Sequence, residues 1–228
     1  MKTRGTMWVA AALVVAIGTG AAWAAEIKTL SAVADTYVQK QSPDDNFGTS
    51  GATRVRGSSY DPMKTYIRFD MSSVSDPTQI TAATFSVSSY LGGNWNAWTF
   101  NVYGLNNGDA GENWGETAIT WNDAPANDSS SAGFASNATL LGTFTGTGNS
   151  YVNFSSAGLV NFLKADTDGK VTLMISTTNT TSTIQSINAR NQSSPPKLEV
   201  TVVPEPATVC LLGLGGLGAL LRKRRAVR

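Results

Sequence analysis

Histidine is absent from this chain of 228 residues, and its single cysteine, Cys210, lies in an apolar run near the carboxy terminus. A disulfide needs two cysteines, zinc sites are mostly built from histidine and cysteine, and Ser-His catalysis needs an imidazole. These three kinds of chemistry therefore lack their usual residues. The fold has to be stabilised by the packing of a hydrophobic core.

Charged residues are also scarce, at 14% of the chain, whereas 41% of the residues are hydrophobic, which is too many for a disordered protein. Between Glu26 and Val203 there are 10 Lys and Arg against 15 Asp and Glu, a balance of −5, and the other 7 basic residues lie at the two ends. Nucleic acid is therefore not an expected partner. The central stretch, about 180 residues, is long enough to form one domain with a sizeable core.

The amino terminus has the layout of a secretory signal peptide. Lys2 and Arg4 precede an uncharged stretch, and Ala22-Trp23-Ala24 then supplies small residues at both ends of a cleavable tripeptide. The pattern predicts a signal peptide over residues 1–24, recognised by the export machinery and removed by signal peptidase. A permanent amino-terminal helix is the alternative, which the short apolar run disfavours.

The carboxy terminus combines a proline-containing segment, an apolar run and a basic tail. Pro204-Glu205-Pro206 should be extended, because proline lacks an amide donor and restricts the residue before it. The apolar run over 207–221 is 15 residues long. As a helix it would span roughly 22 Å, less than the ~30 Å hydrocarbon core of a bilayer. We interpret it as a short transmembrane helix with the basic tail in the cytoplasm and the preceding domain outside.

In their order and position, these three parts resemble the PEP-CTERM sorting signal, which would occupy residues 204–228. The resemblance implies recognition and cleavage by an exosortase in the inner membrane of a Gram-negative bacterium. The protein would be anchored only transiently before release or transfer to the cell surface or extracellular matrix. An ordinary tail anchor is the alternative.

Residues 25–203 show apolar residues at period two, which is typical of strands with one buried face. The only helical candidate is short, over 158–164. About ten short strands in one domain predict an all-β, jelly-roll-like β-sandwich. The candidate strands are Thr53–Arg56, Tyr66–Asp70, Ala83–Val87, Trp98–Tyr103, Ala118–Trp121, Leu140–Phe144, Tyr151–Phe154, Val171–Ser176, Ile184–Asn188 and Lys197–Val202.

Five segments of this domain are similar to DNRLRE-type domains, which are also grouped as carbohydrate-binding module family 96. The segments are Ala34–Val38, Asn46–Gly48, Lys64–Asp70, Trp114–Pro125 and Pro195–Val200. The resemblance implies a β-sandwich found beside surface or polysaccharide-acting modules, with glycan binding in some members. The arginine-and-acid segment usual before the last strand is present only as Ala189-Arg190-Asn191, without the acid.

Aromatic residues around Gly92-Gly93-Asn94 suggest a sugar-binding surface, because flat rings beside amide groups stack on sugars and bond to their hydroxyls. The cluster consists of Tyr90, Trp95, Trp98 and Tyr103. The candidate binding residues are Tyr90, Trp95 and Trp98, of which Trp95 has the most loop-like surroundings. The alternative is that these rings belong to the core or cover a sheet edge, since indoles are mostly buried.

Oxygen-bearing side chains suggest two further sites. Asp35, Asn46 and Asp70 are candidate calcium ligands at one end of the sandwich, although Asp70 is equally compatible with a turn after a strand. No other cofactor is expected. Glu112 and Glu116 are a conceivable acid/base pair for glycoside cleavage, but their spacing in a glycine-rich stretch is more typical of loop carboxylates.

The sequence therefore predicts an exported, non-catalytic cell-surface or matrix protein with polysaccharide as a candidate ligand. Two other functions stay open at this point. One is a purely structural matrix component without a specific glycan site. The other is a polysaccharide-active enzyme, which would require a cleft with convergent carboxylates.

Overall fold

Ten β-strands and one α-helix form the part of the chain that the computed structural model describes, residues 24–148 and 150–203. The helix, α1, spans Ala157–Lys164. The strands are β1 (Glu26–Gln39), β2 (Ala52–Val55), β3 (Met63–Asp70), β4 (Ile80–Ser88), β5 (Thr99–Leu105), β6 (Ala138–Thr145), β7 (Tyr151–Phe154), β8 (Lys170–Thr177), β9 (Gln185–Asn188) and β10 (Lys197–Val202).

All strand pairs are antiparallel, and eight strands follow one another in the order β6-β5-β8-β3-β1-β10-β4-β7. β1 joins the two halves of this arrangement. Its first half pairs with β10, its second half pairs with β3, and the register shifts between Ala32 and Ala34. A bulge of this kind bends a strand, so one long strand can serve two layers. β2 and β9 form a separate two-stranded sheet.

The two halves share one hydrophobic core. Ile67 and Phe69 of β3 and Leu173 of β8 contribute to it from one half, and Phe85 of β4 and Val200 of β10 from the other. The rings of Phe69 and Phe85 meet edge to face with centroids 6.0 Å apart. This arrangement confirms the predicted all-β sandwich of about ten strands.

A second core lies on the outer face of the β1-β3-β8-β5 half. The long connection over 106–137 packs there, bringing Trp114, Ile119 and Trp121 against Tyr66 and Met174 of the sheet. The β1-β3-β8-β5 half of the sheet is therefore covered on both faces. Any opening on this outer face has to lie between the sheet and the connecting loops.

The strand predicted at Ala118–Trp121 is wrong. Its apolar residues do alternate, but the backbone is held by turn hydrogen bonds such as Ala118 N–H to Gly115 O and Ala124 N–H to Thr120 O. Ile119 and Trp121 face the sheet from a series of turns, which mimics the period of a strand. The other nine candidates coincide with β2–β10 apart from end residues, the predicted helix is α1, and β1 was not among the candidates.

The predicted terminal segments lie outside the described residues. These are nearly all of the signal peptide, the Pro204-Glu205-Pro206 motif, the apolar segment 207–221 and the basic tail. Over residues 24–148 and 150–203, no helix has the length and apolar character that crossing a bilayer requires.

Candidate functional site

An open cavity of about 460 Å³ lies on the outer face of the sandwich. This volume is within the range of about 300–1,000 Å³ typical of small-ligand sites. Its floor is formed by β5 and β8, and its walls by the loops that precede β3, follow β8 and lie within 106–137. The lining residues are Gly57, Ser59, Asn101, Tyr103, Ser130, Ser131, Ala132, Gly133, Ser176, Thr177, Thr178 and Thr180.

The floor of the cavity presents side chains from two neighbouring strands. Asn101 of β5 lies directly opposite Ser176 of β8 in the register, and Tyr103 follows on the same face. Within the described part of the chain, the amide of Asn101 and the hydroxyl of Ser176 make no hydrogen bond to another side chain or to the backbone. These groups are therefore free to bond to a ligand.

One wall of the cavity is held in place by a buried lysine. Lys64 is 0% exposed, and its Nζ donates to Asn127 Oδ1 at 2.6 Å, to Asp128 O at 2.8 Å and to Gly133 O. The ammonium group also lies 4.6 Å from the ring centroid of Trp121. Burial lowers the pKa of Lys64 to about 7, against the opposing influence of Asp128. All three of its N–H donors are directed into the protein.

The same wall contains a turn built around Asp128. Its Oδ1 accepts from Ser130 N–H and Oγ, and its Oδ2 accepts from Ser131 Oγ. These bonds, chiefly those from the two hydroxyls, lower the pKa of Asp128 to about 2. The carboxylate is therefore ionised at neutral pH, and it lies behind two serines of the cavity lining.

The opposite wall depends on a glycine. A Cβ at Gly57 would lie 2.3 Å from Asn179 O and 2.5 Å from Thr177 O. Because these are backbone atoms, only glycine lets the loop before β3 approach the loop after β8 this closely. This contact brings Ser59 and Thr180 to one cavity.

The structure separates the three aromatic candidates. Trp95 is 1% exposed and packs edge to face on Phe100 and Phe144, with centroids 5.0 and 5.3 Å away. The prediction that Trp95 offers a stacking surface needs correction, because its loop folds inward over the main core. Tyr90 and Trp98 are half-buried, and Trp98 packs on Phe100. Tyr90 and Trp98 remain candidates, but none of the three lines the cavity.

Asp35 and Asn46 both bond to Glu116 of the long loop, Asp35 to its carboxylate and Asn46 to its backbone carbonyl oxygen. Asp35 N–H donates to Glu116 Oε1 at 3.1 Å, and Asn46 Nδ2 donates to Glu116 O at 3.1 Å. Arg190 completes this network, since its N–H donates to Asp35 Oδ2 at 2.5 Å and its guanidinium donates to both oxygens of Glu116, at 2.5 and 2.6 Å. Arg190 has no acid beside it in the sequence, and its guanidinium pairs with Glu116 of the long loop.

The carboxylates of this network have opposite pKa shifts. Burial raises the pKa of Asp35 to about 6, although the backbone N–H of Arg190 opposes the shift. The hydrogen bonds from Arg190 lower the pKa of Glu116. We interpret the network as a structural link between three loops at one end of the sandwich.

Asp70, the third calcium candidate, lies apart from this network. It is exposed at the end of β3, and its Oδ1 accepts from Ser72 N–H at 2.8 Å. This hydrogen bond is typical of a turn that follows a strand, which was the alternative prediction for Asp70. Residues 24–148 and 150–203 contain no group of three or more Cys, Asp or Glu side chains placed to hold a metal ion. Calcium binding therefore stays a prediction, and a calcium titration of the full chain would test it.

Glu112 and Glu116 have separate surroundings. Glu112 is buried, and its Oε2 accepts from Gly108 N–H at 2.8 Å. Burial, together with Asp168, Asp166 and Asp109, raises its pKa. Glu116 is neutralised by Arg190. The two side chains bond to different parts of the protein, and neither lines the cavity.

Sequence reasoning did not find the cavity, although Tyr103 of the predicted aromatic cluster is one of its lining residues. Two Ser/Thr-rich stretches were available as a signal, namely Asp128–Ser131 and Ser176–Thr181. In a single sequence such stretches look like ordinary polar loops. Only the pairing of β5 with β8 and the packing of the long loop bring their hydroxyls to one place.

The described part of the chain is thus an all-β sandwich with a hydroxyl-lined cavity on one face. The model of carbohydrate-binding module family 96 matches residues 26–202, and the chain belongs to this family. The model of the PEP-CTERM protein-sorting motif matches residues 202–225. Both resemblances found in the sequence are thereby confirmed. No match was found among curated proteins.

Proposed function

We propose that this chain is an exported, non-catalytic surface or matrix protein whose sandwich binds polysaccharide in the outer-face cavity. Family membership supports carbohydrate binding in general. The observation that carries the proposal is the cavity itself, because eight of its twelve lining residues bear hydroxyl groups and one more bears an amide. Hydroxyls and amides both donate and accept hydrogen bonds, as recognition of sugar hydroxyls requires.

The absence of catalysis is part of the proposal. Glycoside cleavage needs two carboxyl groups on either side of the bond, about 5–10 Å apart. The cavity lining contains no carboxylate among the residues that the structure describes. Glu116 is paired with Arg190, and Glu112 bonds to Gly108 within its own loop. Neither side chain is presented to a sugar in the cavity.

The carboxy-terminal match supports a processing partner. The sorting motif indicates export and an exosortase as the enzyme that processes the chain. We propose that the chain is held transiently in the inner membrane of a Gram-negative bacterium. Cleavage near Pro204-Glu205-Pro206 then leaves the sandwich at the cell surface or in the extracellular matrix.

The binding proposal is tested by native gel electrophoresis of the full chain in mild detergent. Each gel contains one polysaccharide. Retardation by at least one polysaccharide, with no new reducing ends released from it, is the expected result. Unretarded migration through every gel would support a purely structural component. Release of reducing ends by the pure protein would show an enzyme instead.

Cell fractionation tests the sorting proposal. With Pro204, Glu205 and Pro206 all replaced by alanine, the chain should stay unprocessed in the membrane fraction of a bacterium that contains an exosortase. Glu199→Ala, which changes an exposed acid of β10, is the matched control and should be processed normally. Equal processing of both variants would show that the motif does not direct sorting.

A further inference from the structure

We infer that the junction between the long loop over 106–137 and the connection from α1 to β8 binds a calcium ion, with Glu112 and Asp166 as its charged ligands. This site differs from the one predicted from Asp35, Asn46 and Asp70, and it does not depend on the proposed binding of polysaccharide. Its basis is a pair of buried carboxylates, one of which has an oxygen without a hydrogen-bond donor.

The two connections meet through Asn107 and Thr167. Asn107 Nδ2 donates to Thr167 Oγ1 at 2.9 Å, and Thr167 N–H donates to Asn107 Oδ1 at 3.4 Å. The carboxylate of Glu112 lies beside this contact, because its Oε2 accepts from Gly108 N–H at 2.8 Å. Asp166 directly precedes Thr167 in the chain. The bonded pair therefore brings two acidic side chains from distant parts of the sequence to one junction.

The carboxylate of Asp166 is buried but only partly paired. The residue is 7% exposed, and its Oδ2 accepts from Gly169 N–H at 3.0 Å. Its Oδ1 is enclosed by protein and accepts no hydrogen bond from residues 24–148 and 150–203. A buried carboxylate oxygen without a donor or a cation is costly. A bound cation would therefore gain most at this atom.

The charges around the junction are predominantly negative. Burial raises the pKa of Glu112, against the Gly108 N–H, and the charges of Asp168, Asp166 and Asp109 add to the rise. Burial also raises the pKa of Asp166, with a further contribution from Asp168. These effects show that the carboxyl groups lie near one another and repel. A divalent cation between Glu112 and Asp166 would relieve that repulsion.

The neighbouring lysines do not neutralise these two carboxylates. Lys170 pairs with Asp168 at 3.2 Å, and Lys164 is exposed in the last turn of α1. In the described part of the chain, none of the salt bridges includes Glu112 or Asp166. The two buried carboxylates thus lack a positive partner among the described residues.

Calcium suits this set of ligands better than zinc or magnesium. It takes about 6–8 oxygen ligands in irregular geometry, whereas zinc prefers nitrogen and sulfur and magnesium demands a near-ideal octahedron. The described residues contain no group of three or more acidic side chains placed around one ion. Neutral oxygens of the two connections and water therefore have to complete the coordination. Such a site should bind calcium with a Kd of about 10⁻⁴ to 10⁻³ M, as extracellular modules do.

The test follows the thermal unfolding midpoint of the full chain in mild detergent, first in EDTA and then at rising concentrations of calcium chloride. Asp166→Asn and Glu112→Gln each remove one charged ligand but keep an oxygen for the backbone N–H that the side chain accepts from. Asp45→Asn, at an exposed position, is the matched control. Asp35→Asn tests the other predicted ligand set, and magnesium chloride controls for screening by salt.

We expect calcium to raise the midpoint of the wild type and of Asp45→Asn, and magnesium to have a smaller effect. In Asp166→Asn and Glu112→Gln the affinity for calcium should fall by roughly tenfold or more, because it depends on the number of charged ligands. In EDTA both variants should be at least as stable as the wild type, since each removes a repulsion. This order distinguishes the loss of a ligand from damage to the fold.

Four results would overturn the inference. The first is a wild-type midpoint that stays constant up to about 10 mM calcium, well above the expected Kd. The second is calcium stabilisation retained by both Asp166→Asn and Glu112→Gln, and its loss in Asp35→Asn would then assign the ion to the other ligand set. The third is an equal shift with magnesium, which would indicate general screening. The fourth is a lower midpoint of both ligand variants in EDTA, which would show that the carboxylates are structural.

Discussion

Asp35, Glu116 and Arg190 form the most closely coupled group of charges in the sandwich. Asp35 is only 2% exposed, so its carboxylate gains little from water and depends on the backbone N–H of Arg190. Arg190 in turn is fixed by Glu116, 74 residues earlier in the chain. One arginine thus connects β1, the long loop and the segment before β10.

The burial of Asp35 predicts a pH dependence of folding. Its pKa in the folded state, about 6, is above the ordinary value of 3.8 for an aspartic acid side chain, so the native state holds a proton that the unfolded state has lost between these two values. The contribution of Asp35 to the free energy of unfolding should therefore fall as pH rises from about 4 to about 6, by an amount on the order of 2 kcal/mol. Urea unfolding of the full chain at a series of pH values measures this.

Asp35→Asn isolates that contribution. Asparagine keeps an oxygen that can accept from Arg190 N–H but does not titrate, so the variant should lose the decline between pH 4 and 6. Asp45→Asn makes the same change at an exposed position and should retain the wild-type profile. Identical profiles for Asp35→Asn and the wild type would show that Asp35 is not the buried titrating group.

Trp95 gives a second prediction at this scale. Because its indole is fully buried between Phe100 and Phe144, Trp95→Ala should lower the free energy of unfolding by about 3–5 kcal/mol. Trp98→Ala, at a half-buried ring on the same core, should cost less. Urea denaturation of both variants measures the two losses in the free energy of unfolding. A larger loss for Trp98→Ala would contradict the burial of Trp95.

At the scale of secondary-structure elements, the loops are positioned by close backbone contacts. The segment Asn46-Phe47-Gly48 illustrates this, since Asn46 bonds to the carbonyl oxygens of Glu116 and Ile119. Phe47 stacks on Tyr37 of β1, with centroids 4.3 Å apart. The segment thereby joins the long loop to the first strand.

Gly48 is the tightest point of this junction. A Cβ there would lie 1.9 Å from Glu116 O, so Gly48→Ala has to push the two backbones apart. We expect a loss of about 1–3 kcal/mol in the free energy of unfolding, as is usual for overpacking. Gly93→Ala is the control, because its φ of −62° suits alanine and its nearest atoms are 3.3 Å away. Equal unfolding midpoints for the two variants would contradict the close contact.

The same elements show what a single sequence can predict. Alternating apolar residues located β2–β10, because each strand has one face toward the main core and the period follows directly from the pleat. The turns around Ile119 and Trp121 imitate that period while lying on the outside of a sheet. The face of the sheet that a loop covers depends on contacts between residues far apart in the sequence, so a single sequence does not predict it. The same holds for the pairing of Arg190 with Glu116 and for the position of Asn101 opposite Ser176.

At the scale of the whole molecule, the termini and the central domain differ in net charge. The central region has a balance of −5, and basic residues are concentrated at the termini. A negatively charged domain repels polyanions at long range, whereas binding of an uncharged chain depends on contacts alone. The two kinds of ligand therefore respond differently to salt.

Salt dependence gives the prediction at this scale. Retardation of the full chain by a neutral polysaccharide should be the same at low ionic strength and at about 0.5 M salt, because screening acts only on charged partners. Weakening that grows steadily with salt would indicate ion pairing, contrary to the uncharged lining. Ala110→Trp, which adds an indole at an exposed position of the long loop, serves as a reference in the same gels.

The central claim is that one sandwich holds one glycan in the outer-face cavity. Isothermal titration calorimetry of the full chain, with an oligosaccharide cut from the polysaccharide that retards it, tests this directly. The account predicts one site per chain for the wild type and for Ala110→Trp, and no binding heat for Ala132→Trp, which places an indole in the cavity. Undiminished heat from Ala132→Trp would contradict it.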